Sequence, residues 1–179
     1  MDYSKNLFTT SQVADACDVK AGTLRMYFAR KQFHKMGRNE PGMPDYFSLR
    51  DTMHFALAAR LIKVAGLPPK EAYDAAVVWA FVGTEGPIEG EIVDAFTPYD
   101  SQNFKMERHA GATFDEREHG LTVFVYWPEK GQGRVFKEDE ILGLHSLRLR
   151  ATAEQAAILI ILNDVERQVL RALGIDPRK

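Results

Sequence analysis

The sequence predicts an α+β fold, helical in its N-terminal half, with a small antiparallel sheet and a long terminal helix in its C-terminal half. Three observations carry that expectation. Between residues 10 and 82, apolar side chains recur at helical spacing in short blocks, broken by Asp18, by the Gly/Pro-rich stretch after Phe33 and by Gly66-Leu67-Pro68. Leu121–Trp127, LTVFVYW, is β-branched and aromatic and is followed by Gly131-Gln132-Gly133, a strand and then a turn. The halves also differ in charge: residues 1–70 hold 11 Lys/Arg against 6 Asp/Glu, and residues 71–179 hold 12 against 19. A basic binding module over 1–82 joined to an acidic dimerisation or sensor module over 83–179 fits that asymmetry.

Thr9, Thr10 and Ser11 are N-cap candidates for a first helix, in which Val13, Ala14 and Ala16 or Cys17 face inward. Asp18 fills a tight turn, because Asp tolerates the left-handed backbone better than most residues with a Cβ, and Val19 pins the flanking helices together. The second helix begins near Ala21 and runs to about Lys31, with Leu24, Tyr27 and Phe28 at i, i+3 and i+4 as its inner face. Phe33–Phe47, rich in Gly and Pro with aromatic ends, reads as a loop or short hairpin, a wing. Ser48 followed by Asp51 resembles a capping box, with Asp for the usual Glu. It opens a helix that stops at Gly66 and carries Met53, Leu57, Leu61 and Val64 as a buried stripe. Pro68-Pro69 then starts a fourth helix, which brings Ala72, Ala75, Ala76, Trp79 and Ala80 to about Val82.

Residues 83–118 mix Gly, Pro and acids without a long period and are expected to be loops, with a short helix near Ile88–Phe96. Leu121–Trp127 and Arg134–Phe136 are the first strands of the sheet, and Leu144–Ala151 alternates Leu147 and Leu149 with Arg148 and Arg150 as a third. Thr152, with Glu154 in the first turn, caps a last helix ending at Gly174. Its apolar positions are Ile158, Ile161, Leu162, Val165, Val169 and Leu173, and Leu159 and Ile160 add apolar surface on other sides. That surface either closes on the sheet or also meets a second copy of the chain.

Cys17 is the only cysteine, so there is no internal disulfide and no multi-cysteine metal site. It reads as a small core residue in a reducing, cytoplasmic setting. The N-terminus lacks the apolar core of a signal peptide, and the most apolar run, Ala156–Leu162, is far shorter than the ~20 residues of a spanning helix. His109 and His119 lie near Glu107, Glu116 and Glu118 in no recognised ligand spacing. No Gly-rich phosphate loop, nucleophile elbow or paired-carboxylate pattern occurs. No enzyme, cofactor, metal or membrane contact is therefore expected. Phe124, Tyr126 and Trp127 could line a ligand pocket, although such aromatics are more often plain sheet core.

Two short helices around a tight turn can lay the second helix in the major groove of DNA. From Val19 to Arg38 the chain carries Lys20, Arg25, Arg30, Lys31, Lys35 and Arg38 and no acid. A merely solvated face mixes signs, whereas a face for phosphate oxygens does not. Lys35 and Arg38 could reach a DNA backbone or minor groove from the 33–47 loop. Double-stranded DNA is the expected partner.

Three blocks carry a resemblance. They are Ala14-Asp15-Ala16-Cys17-Asp18-Val19 followed by Thr23-Leu24-Arg25-Met26-Tyr27, then Phe47-Ser48-Leu49-Arg50-Asp51, and then Ala65-Gly66-Leu67-Pro68 followed by Lys70-Glu71-Ala72. In order and separation, across roughly residues 7–80, they resemble the winged helix-turn-helix DNA-binding domain of the MerR family of transcriptional regulators. The resemblance implies a homodimeric, sequence-specific regulator, with RNA polymerase as a further candidate partner. It places Arg25 and Tyr27 on the phosphate backbone, Lys20 and Thr23 near bases or phosphates at the start of the recognition helix, and Arg38 as the wing cation. Arg30, Lys31 and Lys35 complete the candidate DNA-binding set. Asp18 stands where the family favours glycine, Met43–Phe47 replaces a Gly-Tyr-Arg wing, and Gly83–Pro87 interrupts the approach to the family's long dimerisation helix. The alternatives are a phage-type or recombination accessory protein that bends DNA with the same module, and an antirepressor-like protein-interaction module in which the helix-turn-helix is only scaffold.

Overall fold

The computed structural model describes residues 6–35, 46–81, 111–113, 116–138, 141 and 157–176. It is an α+β fold. Strand β1 (Asn6–Thr9) runs antiparallel to β2 (Tyr46–Ser48), with an irregularity between Asn6 and Phe8. Each of these strands leads directly into a helix through a capping box. At helix α1 (Thr10–Ala16), Gln12 N–H donates to Thr9 Oγ1 at 3.4 Å and Thr9 N–H to Gln12 Oε1 at 2.9 Å. At α3 (Leu49–Ala65), Asp51 N–H donates to Ser48 Oγ at 3.0 Å and Ser48 N–H to Asp51 Oδ2 at 3.0 Å. The shorter Asp side chain thus fills the role usually taken by Glu. Strand β2 therefore has a partner that local sequence does not announce, the N-terminal segment.

The turn after α1 passes through Asp18 at φ 54°, the left-handed region expected of it, and Val19 N–H returns to Ala14 O at 3.0 Å. Helix α2 (Ala21–Ala29) ends two residues before Lys31, which itself takes φ 54° and turns the chain so that Phe33 enters the core. Helix α3 closes on Gly66 at φ 68°, a conformation that favours glycine. Its expected stripe holds at Met53, Leu57 and Leu61 and fails at Val64, which is 64% exposed. None of Ile62, Lys63, Val64 and Ala65 is fully buried, and Leu67 covers the reversal instead. Helix α4 (Pro69–Phe81) buries Ala72, Ala75, Ala76, Trp79 and Ala80 as its spacing predicts, together with Tyr73.

In the C-terminal half, β3 (Thr122–Trp127) lies between β4 (Gln132–Lys137) and β5 (Ile158–Ile161), antiparallel to both. A short 3₁₀ turn, Pro128–Lys130, and Gly131 at φ 58° reverse the chain between β3 and β4. A Cβ at Gly133 would overlap the Phe124 ring, so that position needs glycine. Glu116–His119 forms one helical turn, α5, where loop was expected. The expected strand at 144–151, the helix near 88–96 and the Thr152 cap lie outside the described residues.

The largest correction concerns the last helix. Ile158–Ile161 is a strand, and the helix, α6, begins only at Leu162 and runs to Ala172. A run apolar on all sides does not match one buried helix face, and β-branched residues favour the pleated strand. Pairing with β3 supplies its backbone bonds, from Val123–Ile161 to Tyr126–Ile158. Asn163 then secures the junction by accepting Thr122 N–H on Oδ1 at 2.6 Å.

One hydrophobic core runs through both halves. Val13, Leu24, Phe55 and Trp79 belong to the same cluster as Phe124, Tyr126, Leu162, Val165 and Val169. The candidate pocket aromatics Phe124 and Tyr126 are thus core, and Trp127 packs with Val123, Val125 and Phe136 on the opposite face of the sheet.

His54 is fully buried, and its Nε2 lies 2.7 Å from Tyr73 O while Nδ1 has no partner among the described residues. Burial, the dominant effect, holds its pKa down at about 4, opposed by the Tyr73 carbonyl and by Asp51 and Asp74. The unfolded chain therefore binds a proton near pH 6.5 that the folded chain refuses until about pH 4. Stability is lost as pH falls through that window, by about 3 kcal/mol from this group at 1.36 kcal/mol per pH unit. Denaturant unfolding between pH 7 and pH 4 checks this: His54→Leu lacks this part of the acid sensitivity, and parallel pH profiles for the two proteins would refute it.

Candidate nucleic-acid interface

Helix α2 offers two unlike sides. Leu24 is buried, and Tyr27 and Phe28 pack partly buried against the core. Phe28 lies 5.5 Å from Phe47 and 5.4 Å from Phe55, ring centroid to ring centroid, which ties α2 to β2 and α3. Arg25 is exposed on the remaining surface of α2, Lys20, Arg30 and Lys31 are exposed at its two ends, and Thr23 is half-buried near its start.

These four cations form no ion pair with any described residue. Other cations do: Lys63 meets Asp18 at 2.6 Å, Lys70 meets Asp74 at 2.7 Å, and Arg167 meets Asp164 at 2.9 Å. Asp18 is the acid next to α2 in sequence. Its hydrogen bond to Lys63 holds its carboxyl below the usual range, so it stays anionic and engaged with α3. The α2 N-terminus has no side-chain cap and no acid in its first turn. Its partial positive charge adds to that of the side chains.

The other candidates are placed differently. Lys35 is half-buried, with Nζ 5.6 Å from the centroid of the Phe47 ring on β2. The Tyr27 ring sits 4.8 Å from Phe33 and lines a cleft of about 170 Å³ with Cys17, Val19, Arg60 and Gln168. His34 is exposed, and its carbonyl accepts the Tyr73 hydroxyl at 2.6 Å. Arg38 and the wing tip lie outside the described residues. Cys17 is buried, which pushes its thiol pKa up and disfavours the reactive thiolate.

The end of α1 is tied to α3 by a residue with no local sequence signal. Gln168 of α6 donates from Nε2 to Ala16 O at 2.9 Å and accepts from Arg60 Nη2 on Oε1 at 2.7 Å. It joins the last helix to α1 and α3 and satisfies a carbonyl at the end of α1. Farther away, the Tyr126 hydroxyl donates to Glu71, and burial first, then that carboxylate, push its pKa up to about 12.

A scan of family models and a search of curated proteins find no match to this chain. Among the described residues no group of His, Cys, Asp and Glu is placed to hold a metal ion. None of the described helices is long and apolar enough to cross a membrane.

Gln168→Ala removes both bonds and leaves the Ala16 carbonyl without its partner. The expected cost is about 2 kcal/mol, read as a lower urea midpoint with an unchanged m-value. A midpoint equal to that of the parent protein would show that α6 is held by apolar packing alone.

Proposed function

We propose that this protein binds double-stranded DNA in a sequence-specific manner and regulates transcription, laying α2 in the major groove. One observation carries the proposal: Arg25 on α2 and Lys20, Arg30 and Lys31 at its two ends stand exposed and unpaired among the described residues, and the opposite side of the helix is fixed in an aromatic core. Unpaired like charges repel one another, and a phosphate backbone relieves that repulsion by releasing its counterions. The likeness of residues 7–80 to the MerR DNA-binding domain supports the same reading and extends it to a homodimer. Two recognition helices related by a two-fold axis would read half-sites ~34 Å apart or a multiple of that spacing.

Within this reading Arg25, Arg30 and Lys31 hold phosphates. Lys20 and Thr23 lie at the leading end of α2, within reach of base edges or phosphates. Half-buried Tyr27 has its ring in the packing of α2, so its part is to fix the helix against the backbone it approaches.

Salt titration of duplex affinity tests the proposal. Four cations contribute a slope of about −4 per protomer in log Kd-derived affinity against log salt. Arg25→Ala should weaken binding to specific and random duplexes alike and make the slope shallower by about 1. Affinity for duplex DNA that is absent, or indifferent to salt, would reject DNA binding and favour a protein-interaction role.

A further inference from the structure

The centre of the exposed side of α2 carries no charge. Gly22, Met26 and Ala29 follow one another at spacings of four and three residues and form one stripe along the helix. All three are exposed, Met26 by 37%. Nothing lies within 4 Å of where a Cβ on Gly22 would stand. At 3.6 residues per turn, Arg25 lies about 70° to one side of the stripe and Arg30 about 70° to the other. The outermost line of the helix is therefore small and apolar, and the cations form its two edges.

That order has a physical consequence in a groove. A helix in the major groove meets phosphates along both walls and base edges along the floor. Arg25 and Arg30 match the walls, and the Gly22–Met26–Ala29 line matches the floor. Gly22 and Ala29 add almost no bulk, so the backbone can come close to the bases. Met26 is the one long side chain on that line. It is flexible and polarizable, with no hydrogen-bonding group strong enough to read a donor or acceptor pattern. The apolar group that the major-groove floor offers is the C5-methyl of thymine. We propose that Met26 is a specificity-determining residue that takes a thymine methyl group, so that this helix selects an A·T pair at the position beneath its midpoint. The inference rests on the DNA-binding reading above and adds to it the chemistry of the preferred site.

The test uses the full chain. Duplexes bound best are selected from a random pool, and the affinity for the selected duplex is compared with that for the same duplex carrying dU in place of dT. The two differ only in the thymine methyl groups. Loss of one buried methyl should weaken binding about fourfold per half-site, from ~0.8 kcal/mol per buried group at tenfold per 1.4 kcal/mol. Met26→Ala should weaken binding to the dT duplex by a similar factor and bind the dT and dU duplexes equally. Arg25→Ala should weaken both duplexes and keep their ratio. Because Met26 is exposed, its truncation leaves the core intact, which the urea midpoint verifies. Equal binding of the dT and dU duplexes by the parent protein, with a normal salt slope, would overturn the role of Met26 and leave DNA binding standing. Failure to bind any duplex in a salt-sensitive way would overturn both.

Discussion

Five aromatic rings converge on Phe55, which is fully buried in the third helix. Phe28, Phe33, Phe47, His54 and Tyr73 stand between 5.4 and 6.2 Å from it, centroid to centroid. They come from α2, the chain just beyond it, β2, α3 and α4. This one cluster thus fixes α2 to the three elements behind it. A nine-residue helix is too short to persist alone, so its position depends on such tertiary packing. Because the aromatic side holds α2, Arg25 on its outer side and Lys20, Arg30 and Lys31 at its ends can stand together although their mutual repulsion works against the helix.

The C-terminal half reinforces that support. Its terminal helix buries Leu162, Val165 and Val169 in the same core and reaches Ala16 and Arg60 through Gln168. Glu166 accepts both the Thr113 hydroxyl, at 2.6 Å, and the Thr113 N–H, at 3.4 Å, and Trp79 Nε1–H donates to Ala112 O at 3.0 Å. The basic and acidic ends of the chain are therefore mechanically joined. A change in α6 has a direct structural route to α1 and α3 through Gln168.

Local features of this fold are legible in the sequence. The caps at Thr9 and Ser48, the left-handed turn at Asp18, the stop at Gly66 and the small-residue face of α4 all arise from neighbouring residues. Non-local pairing leaves no comparable trace. Asn6–Thr9 gives no local sign that it will pair with Tyr46–Ser48 across α1 and α2. Ile158–Ile161 is apolar enough for either a helix or a strand, and only the presence of β3 beside it decides. Gln168 looks like an ordinary surface residue until α1 and α3 are seen against it. For the candidate interface, the charge pattern was readable from the start, whereas the uncharged line through Gly22, Met26 and Ala29 emerged only when the inner face of α2 was fixed.

On this account the acid-free side of α2 is the surface that meets DNA. Amide chemical shifts of the full chain, followed as a duplex that it binds is added, test this most directly. The largest changes should fall on residues 20–31, with Arg25, Met26 and Arg30 prominent and the amides of the β3–β4 hairpin little moved. Changes concentrated on the hairpin or on the exposed β5 residues Leu159 and Ile161, with residues 20–31 silent, would contradict it.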